Sequence, residues 1–203
     1  MLDEARLRIL RQGRADFFAN GYSSLTMDAL AAELGMSKKT LYVHFAGKDE
    51  IVGAVIDDLA AEIRAEADAL LRNRSLNLAE KLREFVEGMV ERMATLNPRT
   101  VRDLQRFAPK LYAKVEEVRG TTLPYVFGRF VEDGREAGLI RATIPAGFAI
   151  EFFLQAMQGM MHPTTLERMR TSPREVMPMA IDLFFGGLLT NAGRRQYEKL
   201  FPH

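Results

Sequence analysis

A short segment, SKKTLYVHF at residues 37–45, carries the polar side chains best suited to bind a polyanion. Its two core-like residues, Leu41 and Phe45, lie about 40° apart on a helix and define an inward face. The opposite, outward face carries Lys39, Thr40 and Val43. Lysine can donate hydrogen bonds to guanine O6 and N7, and methyl groups can contact the thymine methyl. The pattern therefore predicts a helix that reads the major groove of DNA.

Further polar residues are predicted to contact phosphates, which fix the register of a protein on DNA. Tyr42 and His44 lie on the flanks of the outward face. Lys48 begins the next helix, where a cation opposes the helix dipole, and a phosphate bound there would explain its position. Thr26 is expected to contact phosphate on the opposite side. Two residues at the start of the segment complete the predicted DNA-binding set, namely Ser37 and Lys38.

The residues before this segment supply the rest of a helix-turn-helix. In TMDALAAELG, Thr26 is the predicted N-cap and the apolar residues recur at helical spacing. Gly35 ends this helix and Ser37 can cap the next, so about three residues join two short helices. A helix from about Asp3 to Asn20 comes first. The sequence thus predicts a three-helix DNA-binding domain at residues 1–47.

Basic charge is concentrated in one place, although the formal net charge of the chain is only +1. Residues 1–53 contain seven Lys/Arg and seven Asp/Glu. Within residues 36–48, however, there are three lysines and no acidic residue. DNA binding depends on where charge lies rather than on its sum. The alternative is a solvated helix face with ordinary lysines. The tight turn, the local charge and the position of Lys48 together favour DNA.

Composition and motifs exclude several classes of protein. Without cysteine there is no disulfide, zinc–thiolate site or thiol nucleophile. No apolar run reaches the ~18–20 residues that span a bilayer, and the N-terminus does not resemble a signal peptide. We therefore expect a cytoplasmic protein with no membrane partner. The chain also lacks a Gly-rich phosphate loop, a Gly-x-Ser-x-Gly motif and a di-iron pattern, so we expect no enzyme activity, no cofactor and no metal site.

Helical periodicity continues to the end of the chain, which predicts an all-α fold. Long helices are expected at residues 48–72, 77–96, 146–162 and 175–192. Pro109 and Pro124 are expected to divide the region between the second and third of these helices into helical pieces. Pro178 is expected to kink the last helix or delay its start. The predicted architecture is a helix-turn-helix domain followed by a larger helical domain for effector binding and dimerisation at residues 48–203.

The last two long helices are apolar on more than one side, which predicts a twofold dimer built as a four-helix bundle. Glycine within a helix costs about 1 kcal/mol relative to alanine, and close helix approach would compensate. The predicted interface consists of Phe152, Ala156, Gly159, Met160, Phe184, Gly187 and Leu188. The alternative is that both helices are buried within one monomer.

The segment TMDALAAELGMSKKTLYVHFAGKDEIV resembles the DNA-binding domain of TetR-family transcriptional regulators, over about residues 5–55. The resemblance includes the Gly-x-Ser turn, Thr-Leu-Tyr, the His-Phe pair and the following lysine. It implies DNA-contacting roles for Thr26, Lys38, Lys39, Thr40, Tyr42, Val43, His44 and Lys48. It also implies a homodimer formed through the last two long helices. Asp28 departs from the family, since some members place a basic, base-reading residue there.

Aromatic residues and methionines in the middle helices are candidates for an apolar pocket. They are Phe85, Met89, Met93, Leu104, Phe107, Tyr112, Tyr125 and Phe130. The family resemblance implies a small-molecule inducer site in this region, and such a lining would suit a hydrophobic ligand. The alternative is that these side chains form ordinary core.

The sequence thus predicts a ligand-responsive transcriptional regulator. It would bind a palindromic DNA operator as a homodimer and be released by a hydrophobic small molecule. The family resemblance favours a repressor over an activator. One alternative is a constitutive DNA-binding protein whose C-terminal domain only dimerises. A second is an α-helical enzyme that uses the apolar pocket.

Overall fold

The computed structural model describes residues 4–95 and 99–198, and within them the predicted all-α class is confirmed. These residues form α1 Glu4–Asn20, α2 Met27–Leu34, α3 Lys38–His44, α4 Lys48–Arg72, α5 Leu78–Thr95, α6 Arg99–Phe107, α7 Pro109–Glu136, α8 Ala146–Met160, α9 Pro163–Met169, α10 Pro173–Leu188 and α11 Asn191–Tyr197. The β-type pairing among them is a single antiparallel bridge between Ile140 and Leu189.

Local capping sets the ends of the first helices as the sequence predicts. The Thr26 hydroxyl accepts from the backbone N–H of Ala29 at 3.1 Å and caps α2. Gly35 ends α2 in the left-handed conformation, with φ of 62°, which glycine adopts without steric cost. The Ser37 hydroxyl then accepts from the N–H of Thr40 at 3.0 Å and caps α3. Two residues, Gly35 and Met36, therefore separate the α2 helix from the α3 cap.

The expected division at Pro109 is present, but Pro124 does not divide the chain, because α7 continues through it. The flanking Thr122 and Val126 are buried, and tertiary packing can outweigh the cost of proline within a helix. Pro178 does not delay the start of the last long helix, because α10 begins before it and continues through it.

Two short helices, α9 and α11, were not expected from the sequence. Ser172 and Glu175 have the sequence spacing of a capping box, and this box is present at the start of α10. The sequence NPRT at 97–100 also predicts an Asn cap followed by proline at the first helical position, and Asn97 and Pro98 lie outside the described residues.

The described residues separate into two compact units. Unit 1 takes those within Met1–Glu62 and Thr95–Arg119, and unit 2 takes those within Ile63–Ala94 and Gly120–His203. Unit 1 therefore contains α1 to α3, the first part of α4, α6 and the first part of α7. Unit 2 contains the remainder of α4 and α7 together with α5 and α8 to α11.

The core of unit 1 joins the helix-turn-helix to α4, α6 and α7. Its fully buried side chains come from α1, α2, α3 and α4, and include Ile9, Leu30, Leu41 and Ile51. Leu104 of α6 and Leu111 of α7 belong to the same cluster. Gly13 allows α1 and α4 to approach closely, because a Cβ atom there would lie 2.5 Å from Ile51 Cγ2. The three N-terminal helices therefore pack on α4 instead of forming an independent core.

The core of unit 2 is an aromatic cluster contributed by α5, α7, α8 and α10. Phe127 makes ring contacts with Phe85, Phe153, Phe184 and Phe185 at centroid distances of 4.5–6.4 Å. Aromatic pairs in tilted and edge-to-face arrangements are favourable beyond the area they bury. The cluster fixes α8 and α10 against α7 and thereby determines which faces of these two helices remain exposed.

Candidate nucleic-acid interface

Helix α3 has the division into two faces that the sequence predicts. Leu41 and the following Phe45 are buried completely in the unit 1 core. Tyr42 is 52% exposed and Val43 is 74% exposed, while Lys39 is also exposed. α3 therefore presents cationic, aromatic and methyl groups from a rigidly anchored backbone.

The end of α3 is fixed by a residue that the sequence analysis did not identify. The Arg6 guanidinium stacks over the Phe45 ring, with Cζ 4.0 Å from the ring centre. Arg6 Nη1 also donates to the backbone oxygen of His44 at 2.6 Å. A cation is favourable at a helix C-terminus. Arg6 thereby holds the half-buried His44 against α1, and its 38-residue separation from His44 gave no local signal.

Ser37 and Thr40 are hydrogen-bonded to each other. Their hydroxyl oxygens lie 2.8 Å apart, and the Ser37 hydroxyl accepts from the Thr40 N–H. Both residues remain exposed at the start of α3. A hydroxyl can still accept or donate a further bond, so their capping role is compatible with contact to DNA.

Lys38 lies in an ion pair. Its Nζ is 2.7 Å from the Asp28 carboxylate of α2, and both side chains are largely exposed. The hydrogen bond and the charge of Asp28 raise the pKa of Lys38. Asp28, which departs from the family resemblance, therefore neutralises one of the lysines predicted to contact DNA. The exposed Lys39 next to it belongs to the outward face.

Lys48 is held at the start of α4 by Tyr22, in the turn between α1 and α2. Its Nζ lies 4.0 Å from the centre of the Tyr22 ring and donates to the Tyr22 carbonyl at 3.2 Å. Cation–π contacts typically contribute about 0.5–1 kcal/mol at exposed sites, which offsets the few tenths of a kcal/mol that a cation costs at a helix N-terminus. These contacts explain the position of Lys48 without a bound phosphate.

The phenol group of Tyr22 is itself fixed. Its hydroxyl donates to Asp49 Oδ1 at 2.6 Å, and the side chain is buried. Burial, followed by the hydrogen bond and charge of Asp49, raises the pKa of Tyr22 to about 12. The phenol is therefore neutral and able to donate throughout the physiological pH range. Thr26, the remaining predicted contact, is exposed four residues after Tyr22.

These features define the class of protein: a helix-turn-helix DNA-binding transcriptional regulator. Residues 9–55 match the family described as bacterial regulatory proteins, tetR family. Residues 9–55 are therefore a DNA-binding domain of the TetR type.

Two relatives that align with most of this chain are also named HTH-type regulators of transcription. The HTH-type transcriptional regulator YvaF of Bacillus subtilis strain 168 is 25% identical over 81% of this chain and 86% of its own length. The HTH-type transcriptional repressor DhaR of Mycobacterium sp. strain GP1 is 23% identical over 91% of this chain and 92% of its own. A solved complex of SmeT with triclosan has the same fold, with a TM-score of 0.67, 16% identity and 93% of each chain covered.

The side chains predicted to line an effector pocket are divided between the two units. In unit 1, Leu104 and Tyr112 pack into or against the DNA-binding core, and Phe107 is more than half exposed. The members in unit 2 are Phe85, Met89, Tyr125 and Phe130. The side chain of Met93 lies outside the described part of the structure. A pocket formed within unit 2 would therefore use only part of the predicted set.

Unit 2 also contains polar groups that the sequence analysis did not identify. The Tyr125 hydroxyl lies 3.0 Å from both carboxylate oxygens of Asp68, and Arg129 is 3.8 Å from the same carboxylate. Arg64 donates to the hydroxyls of Thr121 and Thr122. These contacts connect α4 with α7 and give that side of unit 2 hydrogen-bonding capacity.

The predicted dimer residues lie partly on exposed surface and partly in the core. On α8, Phe152 is 64% exposed and stacks with Phe148 at 6.4 Å. Ala156 and Gly159 are exposed on this helix, and Met160 is half-buried.

On α10, Phe184 and Leu188 are buried within unit 2, whereas Gly187 is exposed. Leu183, which the prediction omitted, is 78% exposed, and Met179 one turn earlier is also exposed. The spacing of Met179, Leu183 and Gly186 places them on one helical face, and this spacing was readable from the sequence.

None of the helices in the described ranges is long and apolar enough to cross a membrane. The same residues contain no group of three or more His, Asp or Glu side chains that could hold a metal ion.

Proposed function

We propose that this protein is a TetR-family repressor that binds a palindromic operator as a homodimer and releases it when a hydrophobic small molecule binds. The observation that carries the proposal is α3, whose Leu41 is buried while Lys39, Tyr42 and Val43 are exposed. In a twofold dimer, two such helices about 34–36 Å apart would contact two half-sites.

The exposed apolar faces of α8 and α10 support the homodimer. These helices pack against each other in unit 2, and together they expose Phe148, Phe152, Met179 and Leu183. Exposed apolar faces on two helices that pack together are typical of an interaction site. The interface we propose therefore uses the Phe152 face of α8 and the Leu183 face of α10, together with Ala156, Gly159, Met160 and Gly187. Phe184 and Leu188 support it from beneath.

Two similar proteins support repression and release by a ligand. The relative DhaR is named a repressor, and SmeT was solved with triclosan, a hydrophobic aromatic molecule. Phe85 and Phe130 give unit 2 of this chain an aromatic interior, and Tyr125 adds a polar group. An effector that binds better to a conformation unfit for DNA would weaken operator binding by that difference in affinity, commonly about 1–3 kcal/mol.

Selection of binding sites from a random duplex library tests operator binding directly. We expect a palindromic winner whose log K falls with log salt by about 0.9 per neutralised phosphate. Lys39→Ala should relax base preference, and Tyr42→Ala should weaken binding to all sequences alike. Lys110→Ala, at an exposed position in unit 1 outside α3, is the matched control.

Failure of the wild-type protein to enrich any sequence would contradict operator binding. A panel of hydrophobic ligands titrated against the selected operator then tests release. If no ligand changes operator affinity, the protein is a constitutive DNA binder with a dimerising C-terminal domain.

A further inference from the structure

Tyr22, in the turn between α1 and α2, contacts the first turn of α4. The phenol hydroxyl donates to Asp49 Oδ1 at 2.6 Å, and the ring face is covered by the Lys48 ammonium at 4.0 Å. The Tyr22 carbonyl accepts from the same ammonium at 3.2 Å. Two consecutive residues of α4 are therefore held by one buried tyrosine, and this arrangement is independent of α3.

These contacts leave Lys48 able to bind an anion. A lysine ammonium has three donor hydrogens, and its bond to the Tyr22 carbonyl uses one of them. The Lys48 side chain is half-buried, so part of it is accessible to solvent. A flexible lysine loses side-chain entropy when it binds, and a lysine already held in place loses less. Lys48 is thus an ammonium group with its position set before any DNA arrives.

Tyr22 also lies near a second predicted phosphate contact, Thr26. Thr26 follows Tyr22 by four residues in the same turn and caps α2 through the N–H of Ala29. Because the turn is short, a fixed Tyr22 limits how far the start of α2 can move relative to the start of α4.

We propose that Tyr22 is a positioning residue for DNA binding, which holds the Lys48 ammonium at the start of α4 in place for a backbone phosphate. The inference rests on the proposed operator binding and assigns a role to a residue that does not itself contact DNA. The aromatic ring and the carbonyl hold the ammonium, and the hydroxyl bond to Asp49 holds the ring.

The test is the salt dependence of operator binding for Tyr22→Leu, Tyr22→Phe, Lys48→Met and the double variant Tyr22→Leu/Lys48→Met in the full chain. Losing one phosphate contact should make the slope of log K against log salt shallower by about 0.9 per subunit. We expect Lys48→Met to show this change and Tyr22→Leu to show most of it. Tyr22→Phe, which keeps the ring, should keep most of the wild-type slope.

The double variant separates positioning from general structural damage. If Tyr22 acts through Lys48, Tyr22→Leu should weaken binding far less in the Lys48→Met background than in the wild type. Urea unfolding establishes that each variant is folded, and Tyr22→Met replaces Tyr22→Leu if the latter is not. An unchanged slope in the folded variant, or fully additive losses in the double variant, would overturn the inference while leaving operator binding intact. A wild-type protein with no salt-dependent operator binding would overturn both.

Discussion

The Lys38 ammonium lies 2.7 Å from the Asp28 carboxylate, so an exposed ion pair joins the first turn of α2 to the first turn of α3. Both side chains come from helix starts that the proposed interface presents to DNA. A phosphate can use Lys38 only by competing with Asp28 for the same ammonium. The pair therefore lowers the positive potential of the surface while leaving the exposed Lys39 next to it.

Replacing Asp28 with asparagine should strengthen DNA binding. Lys38 then becomes available to phosphate, so operator affinity should rise and the salt slope should steepen by up to about 0.9 per subunit. Because exposed ion pairs contribute little to stability, the urea midpoint should hardly change. Glu33→Gln removes the same charge from the same helix and leaves the Lys38 pair intact. An equal rise in affinity for both variants would indicate a general charge effect instead.

Leu183→Glu should dissociate the proposed dimer. A carboxylate on this exposed apolar face would lose hydration at an interface without gaining a partner. We expect a monomer in sedimentation velocity experiments, with loss of cooperative binding to the two half-sites. Ala137→Glu introduces the same charge at another exposed position of unit 2 and should remain dimeric. A dimeric Leu183→Glu protein would place the interface elsewhere.

Gly13→Ala should destabilise unit 1. A Cβ atom at this position would lie 2.5 Å from Ile51 Cγ2, which forces α1 and α4 apart, and overpacking of this kind typically costs about 1–3 kcal/mol. Gly120 also lies within a helix, but a Cβ atom there would meet nothing within 4 Å. Gly120→Ala should therefore raise the free energy of unfolding by up to about 1 kcal/mol. Urea unfolding of both variants measures the difference, and a stabilised Gly13→Ala would contradict the close packing.

The phenol of Tyr22 should ionise at a higher pH in the folded protein than in the unfolded chain. Its pKa of about 12 lies above the ordinary tyrosine value of 10.0, so the folded state holds this proton more tightly than the unfolded chain. The resulting stability is complete below about pH 10 and is lost as the pH rises towards about 12. The difference in absorbance at 295 nm between the wild type and Tyr22→Phe should show one tyrosine titrating near pH 12. In guanidinium the same difference should move to about pH 10. A folded-state difference already centred at pH 10 would contradict both the burial of the phenol and its bond to Asp49.

Several features of the chain were determined by local sequence. Helical spacing, the Thr26 and Ser37 caps and the left-handed Gly35 predict α2, the turn and α3 where the structure has them. Leu41 was likewise assigned to the buried side of α3. Each of these features depends on residues within about one helical turn, so their physical causes are present in any short window of sequence.

The structure differs from the sequence prediction where the outcome depends on distant residues. Leu104 and Tyr112 pack with the N-terminal helices, although in sequence they are grouped with the helices of the expected effector domain. On α10, Leu183, Phe184 and Phe185 are consecutive apolar residues, and contact with the aromatic cluster around Phe127 selects which of them are buried. Periodicity identifies possible helix faces but cannot choose between two apolar ones.

The sequence by itself thus determined the helices, their caps, the helix-turn-helix and the set of polar side chains that suit DNA. Only the tertiary structure decided what those side chains contact. The partners of Lys48 and Lys38, namely Tyr22 and Asp28, are 26 and 10 residues away in sequence. Such pairings arise when helices pack, because packing brings together charges and rings that no local pattern relates.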